Sequence, residues 1–135
     1  MAPTFHLVQG APDPVAPFSH AVEADGWVFL TGQMPFPGTS VSEPYPEGIA
    51  AQTHQVMRNL DTVLRGVGVG LGDVVSTGIF LTRFDEDYAR MNTAYATYFP
   101  EGRRPARTCV GVSALAKGAR IEIELVARRS ERERR

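Results

Sequence analysis

Arg107, Cys109, Glu122 and Glu124 are the residues whose types and spacing suit chemistry. Arg107 and Cys109 fall within residues 103–112, where an arginine, the only cysteine and a strand-like apolar run coincide. A guanidinium offers a planar fork of donors that matches a carboxylate. The plainer reading is an ion pair at a strand end, and the local residues leave both open. Glu122 and Glu124 are two apart, so on a strand they share one face while Ile121, Ile123 and Leu125 share the other. Such a pair can hold a shifted pKa and do acid/base work, or it can be a solvated strand face. Cys109 has no base beside it in sequence and reads as a small packed residue, although a neighbouring arginine favours the thiolate. His6, His20 and His54 fall in different elements without ligand spacing, so no metal site is expected. Phosphate-loop and dinucleotide patterns are missing, so no cofactor is expected either. Tyr88, Tyr95, Tyr98 and Phe99 read as core and interface, not as a base-stacking platform.

The elements that must position these residues can be read from punctuation and periodicity. Pro105 cannot donate to a sheet and biases Arg104 to extended geometry, so a strand begins at about Ala106 or Arg107 and runs to about 115. Residues 4–9 suit a short edge strand. Residues 18–24 and 27–31 suit two strands joined at Asp25-Gly26, a strong hairpin signal. Gly32 follows, where the backbone can turn or approach a ligand closely. Residues 34–48 carry four prolines and two glycines and read as a long loop. Ile49, Val56, Leu60, Val63, Leu64 and Val67 recur at helical spacing, which predicts a helix over 47–67 closed by glycines. Residues 73–82 suit a strand. A second helix to about Phe99 carries the stripe Tyr88, Met91, Ala94, Tyr95 and Phe99, with Asp85 or Asp87 as its cap. Residues 119–127 suit a last strand, and Lys117-Gly118 is short enough to form a hairpin with the strand before it.

The order β-β-β-α-β-α-β-β predicts an α+β domain with a mixed six-stranded sheet and both helices on one face. The sheet's other face is left without cover, which predicts an oligomer. A domain over residues 1–128 is expected, with a charged, disordered tail at 129–135. From Arg128 onward there are five arginines against two glutamates.

The 135 residues are 43 % hydrophobic and 21 % charged, as in a soluble globular domain. A net charge of −1 gives no reason to expect nucleic acid or an anionic membrane. One cysteine allows no internal disulfide and fits a reducing compartment. With no leader-like or bilayer-length apolar run, a cytoplasmic protein is expected.

Six segments together resemble the RidA/YjgF family of reactive-intermediate (enamine/imine) deaminases. They are Ala16-Pro-Phe-Ser-His-Ala-Val, Phe29-Leu-Thr-Gly-Gln-Met-Pro, Gln52-Thr-His-Gln-Val-Met-Arg-Asn-Leu, Asn92-Thr-Ala-Tyr-Ala-Thr-Tyr-Phe, Arg104-Pro-Ala-Arg-Thr-Cys-Val and Ile121-Glu-Ile-Glu-Leu-Val-Ala. The last two, in this order after two helices, are the most specific.

The resemblance implies a chorismate-mutase-like fold and a homotrimer with sites in the clefts between subunits. It also implies hydrolysis of 2-imino or 2-aminoacrylate species to 2-oxo acids and ammonia without a cofactor. By motif position, Arg107 matches the arginine that grips the substrate carboxylate and Glu122 the acid that handles water. Cys109, Thr31, Gly32 and Asn92 match residues lining the same cleft.

Three departures stand out. Phe18 replaces a tyrosine whose hydroxyl is thought to help handle the water or proton. Gly111 replaces a glutamate common in the family, and residues 35–48 differ in composition. These departures keep open an alternative of another class, a non-catalytic trimer that binds small carboxylates. A nuclease or translation inhibitor, a label attached to some relatives, is disfavoured by the charge and by the lack of a basic groove in the sequence.

Overall fold

The computed structural model describes residues 2–130. The described elements are β1 (Thr4–His6), β2 (Ala21–Ala24), β3 (Trp27–Gln33), α1 (Ile49–Gly66), β4 (Val74–Leu81), α2 (Phe84–Ala96), β5 (Ala106–Gly111) and β6 (Ile121–Arg128). They form one six-stranded sheet in the order β1-β2-β3-β6-β4-β5. The β4–β5 pair is parallel and every other pair is antiparallel. A parallel pair needs a crossover, and α2 supplies it. This is the expected α+β architecture, a mixed sheet with both helices on one face.

Alternation in β6 explains its central place. Ile121, Ile123, Leu125 and Ala127 are fully or almost fully buried, while the residues between them stay partly or wholly accessible. Against that buried row α1 lays Val56, Met57, Leu60, Val63 and Leu64. Gly66, the last residue of α1, must be glycine because Val8 fills the space a Cβ would need: Val8 Cγ1 lies 2.3 Å from that position. Asp25-Gly26 makes the predicted hairpin, both residues at positive φ.

Three expectations need correction. The strands before and after Lys117-Gly118 do not form a hairpin: β6 inserts between β3 and β4, and β5 is left at the sheet edge. The most thoroughly buried strand takes the centre. Neither Asp85 nor Asp87 caps α2, which starts at Phe84 with no side-chain cap. Asp85, Glu86 and Asp87 instead occupy its first turn, where carboxylates suit the helix dipole. Residue 129 is not part of a loose tail. Arg129 pairs with Glu23 at 2.8 Å and donates to the Val67 and Gly68 carbonyls after α1, joining β2, α1 and the end of β6. Residues 131–135 of the predicted tail lie outside the described residues.

The sheet face away from the helices carries exposed apolar side chains, including Phe5 (68 % exposed), Phe29 (49 %) and Val110 (42 %). Among the described residues no helix is long and apolar enough to cross a membrane.

Candidate functional site

Register decides which candidate residues can meet. Arg107 pairs with Thr77, and Thr77 with Leu125, in a row whose side chains face the helices. Glu122 pairs with Phe80 and Glu124 with Gly78, in rows that face the other way. Within one chain, Arg107 and Glu122 therefore lie on opposite faces of the sheet.

On the helix face, α2 builds a cradle for Arg107. Tyr88, Asn92 and Tyr95 are spaced four and three apart, so they share one side of the helix. The Arg107 guanidinium donates to Asn92 Oδ1 at 2.7 Å and to the Tyr88 hydroxyl at 3.0 Å. It also lies over the Tyr88 and Tyr95 rings, 5.7 and 5.4 Å from their centroids. Both acceptors are neutral. Among the described residues no carboxylate reaches ion-pair distance of this half-buried cation. Beside it opens a cavity of about 300 Å³ lined by Asn92, Tyr95, Ala96, Arg104, Pro105 and Arg107. Cys109 sits two residues along on the same face. Burial pushes its thiol pKa up, and the Arg107 charge offsets this only in part. Cys109 packs against the core, and its surroundings favour the thiol over the thiolate.

On the other face, Glu122 is the centre. Burial, and then the charge of Glu124, push its carboxyl above the usual range. Gly32 is there because nothing larger fits: a Cβ at that position would lie 2.2 Å from Glu122 Oε2. Gly78 likewise clears room for Glu124, whose Cγ would lie 3.3 Å from an added Cβ. The strand pairing is irregular between Leu30 and Gln33, which brings Thr31 and Gly32 out of register. The Thr31 hydroxyl donates to the Ser19 carbonyl at 2.6 Å, tying β3 to the segment before β2. Phe18 and Gly32 line one small hollow with Met34 and Phe36, with a volume of about 20 Å³, room for little more than a water.

The structure therefore gathers the expected residues into two groups, not one: Arg107, Asn92 and Cys109 on the helix face, and Glu122, Gly32, Thr31 and Phe18 toward the open face. Two further residues belong beside them. Tyr88 read as a core position, yet its hydroxyl holds Arg107; the four-residue spacing to Asn92 was the available signal. Tyr45, in the proline-rich loop, packs on Phe36 at 5.1 Å and donates to the Ala116 carbonyl at 3.0 Å. Burial, and then the Glu122 charge, raise its pKa to about 12, so it is protonated at neutral pH. Nothing local in the sequence ties Tyr45 to Glu122.

His20 has a structural role. His20 accepts from the Val8 amide at 2.8 Å and its other ring nitrogen meets the Pro12 carbonyl at 2.8 Å, which fixes the neutral tautomer with the proton on Nε2. Among the described residues no group of three or more His, Cys, Asp and Glu side chains could hold a metal.

Residues 8–129 match the family described as Endoribonuclease L-PSP, so the chain belongs to this family, in which the RidA/YjgF proteins fall. It is 39 % identical over 121 residues to a RutC family protein of Pyrococcus horikoshii, covering 90 % of this chain and 94 % of that one. It is 34 % identical over 117 residues to the mouse protein named 2-iminobutanoate/2-iminopropanoate deaminase, covering 87 % and 84 %. The crystal structure of Escherichia coli TdcF with bound serine superposes with a TM-score of 0.84 at 29 % identity, covering 94 % and 99 %.

Proposed function

We propose that this protein hydrolyses 2-imino acids and their 2-aminoacrylate tautomers to 2-oxo acids and ammonia. It does so as a homotrimer whose sites lie between subunits. The observation that carries this reading is Arg107: a half-buried guanidinium held by two neutral acceptors, with its charge unmatched. Such a group is built to receive an anion. The mouse deaminase supports the reaction, and TdcF with bound serine supports a small ligand bearing an α-carboxylate.

The proposed chemistry adds water across the C=N bond and then expels ammonia. Arg107 uses donors left free by Asn92 and Tyr88 to fix the carboxylate, which leaves the imine carbon in a set position. In its carboxylate form Glu122 accepts a proton from water as the water oxygen bonds to that carbon. That proton passes to the nitrogen, which regenerates the carboxylate, and as the C–N bond breaks the remaining hydroxyl proton follows to the nitrogen, leaving the 2-oxo acid and ammonia. Phe18 supplies no hydroxyl for this transfer, whereas Tyr45 lies within electrostatic reach of Glu122.

The division of the residues between two faces of one sheet supports the assembly. A site needing both Arg107 and Glu122 is incomplete in a single chain. The exposed apolar face around Phe29 and Val110 is a surface that a second copy would cover.

The second reading, a non-catalytic carboxylate binder, is favoured by Phe18 alone. The two separate in an assay in which an amino-acid oxidase generates 2-iminobutanoate in place and semicarbazide competes for it. The expected result is loss of semicarbazone as protein is added, abolished by Arg107→Ala. A folded trimer that leaves semicarbazone formation unchanged would rule out hydrolysis and leave the binding role.

A further inference from the structure

The cavity beside Arg107 has a second cation, and this inference rests on the imine-hydrolase reading above. Arg104 lines the same space of about 300 Å³ as Arg107, Asn92 and Tyr95. Pro105 stands between the two arginines and holds Arg104 just outside the first residue of β5. The position is set by the backbone, and the side chain is exposed at the cavity mouth. Among the described residues no carboxylate lines the cavity. Among the described residues Arg104 makes no hydrogen bond or ion pair, whereas Arg120 and Arg129, which flank β6, are matched by carboxylates.

One cavity with two unmatched guanidinium groups suits a ligand with two negative charges. The α-carboxylate of an imino acid accounts for one. The cavity is at the lower end of small-molecule sites, so the second charge must belong to the same small molecule.

We propose that Arg104 receives a side-chain carboxylate, and that the preferred substrates are imines of acidic amino acids, of the 2-iminosuccinate and 2-iminoglutarate class. The reaction is the same: water adds to C=N, the C–N bond breaks, and a 2-oxo diacid and ammonia leave. The reactions that supply such imines oxidise the α-amino group of acidic amino acids. Arg104 is thus a specificity residue, acting on the distal end of the substrate and not on the reacting carbon.

The test compares 2-iminobutanoate with 2-iminoglutarate, each made in place by an amino-acid oxidase, in wild type, Arg104→Ala and Arg104→Lys. Binding of 2-oxobutanoate and 2-oxoglutarate is measured by calorimetry on the same proteins. In wild type, kcat/KM and affinity should favour the diacid by about tenfold or more, the scale of one charge-assisted contact. Arg104→Ala should collapse that ratio, and Arg104→Lys should keep most of it. Hydrolysis and binding of the monoacid without preference for the diacid overturn this inference and leave the hydrolase reading standing. If neither imine is hydrolysed and neither oxo acid binds, the hydrolase reading fails and this inference falls with it. If Arg104→Ala disperses the trimer, as read by light scattering, Arg104 belongs to the subunit interface and the inference is also overturned.

Discussion

Arg107 and Arg120 both reach α2 from the sheet, and what they meet there differs. Arg120 donates through Nε to Asp87 Oδ2 at 2.9 Å, closes a second contact on the same carboxylate, and reaches Glu86 at 2.9 Å. Asp87 is 1 % exposed, and its bond to Arg120 raises the arginine's pKa further. Arg107, a few residues along the same helix, finds an amide oxygen and a phenol. One arginine is neutralised by the fold, and the other is oriented by the fold while its charge stays available. The structural arginine and the arginine proposed to bind ligand thus separate by the charge of their acceptors, not by burial.

That contrast can be broken from either side. The largest expected effect is on stability, from Arg120→Ala. Removing the guanidinium strands a buried Asp87 carboxylate, which costs about 3–5 kcal/mol, read as a lower urea midpoint. Arg107→Ala should do the reverse: little change in the urea midpoint, but a loss of about 2–5 kcal/mol in binding a 2-oxo acid, read by calorimetry. If Arg107→Ala unfolds the protein and Arg120→Ala does not, the assignment of roles is inverted.

The Glu122 side sharpens the comparison. Gly32→Ala drives a methyl into the Glu122 carboxylate, and overpacking of this kind costs about 1–3 kcal/mol. Turnover should fall more than oxo-acid affinity, since Arg107 is untouched. Turnover equal to wild type would mean that the Glu122 position is irrelevant to the reaction.

The pH dependence follows from the raised Glu122 pKa. If the carboxylate is the working form, kcat/KM falls as pH drops through a value above the ordinary 4.5, and Glu122→Gln removes that acid limb along with most activity. The sign for stability is opposite. A carboxyl with a raised folded pKa holds its proton longer in the native state. Its ionisation therefore lowers stability as pH rises from the unfolded pKa through the folded one. Glu122→Gln should thus be slightly more stable than wild type at neutral pH. The smallest effect belongs to Glu124→Gln. Removing a neighbouring like charge should move the acid limb to lower pH with the maximum rate nearly unchanged, and an unmoved limb would remove Glu124 as a contributor.

Much of the fold was legible because its signals are local. Asp25-Gly26 demands a hairpin, Pro105 sets the start of β5, and the spacing of Val56, Leu60, Val63 and Leu64 writes α1 directly. The neighbour of β5 was not legible, since a short Lys117-Gly118 link says nothing about which strand β6 will join; only the burial of both its neighbours decides that. The site shows the same division. Arg107, Glu122 and Gly32 could be named from type and motif. That Arg107 and Glu122 face opposite ways follows from the register of β4 with both β5 and β6, a property of three strands at once. The acceptors of Arg107 lie on a helix whose facing could be read from periodicity, but their partner could not.

The proposed function stands on those two faces meeting across a subunit boundary, and mixing two crippled proteins tests this directly. Arg107→Ala and Glu122→Gln should each be nearly inactive alone. Unfolded together and refolded as mixed trimers, they should regain activity, because about a quarter of the sites then draw an intact Arg107 from one subunit and an intact Glu122 from its neighbour. Recovery near that fraction of wild-type imine hydrolysis is the predicted result. Mixed trimers, shown to form by mass, that remain as inactive as either parent would contradict a site shared between two faces of two copies.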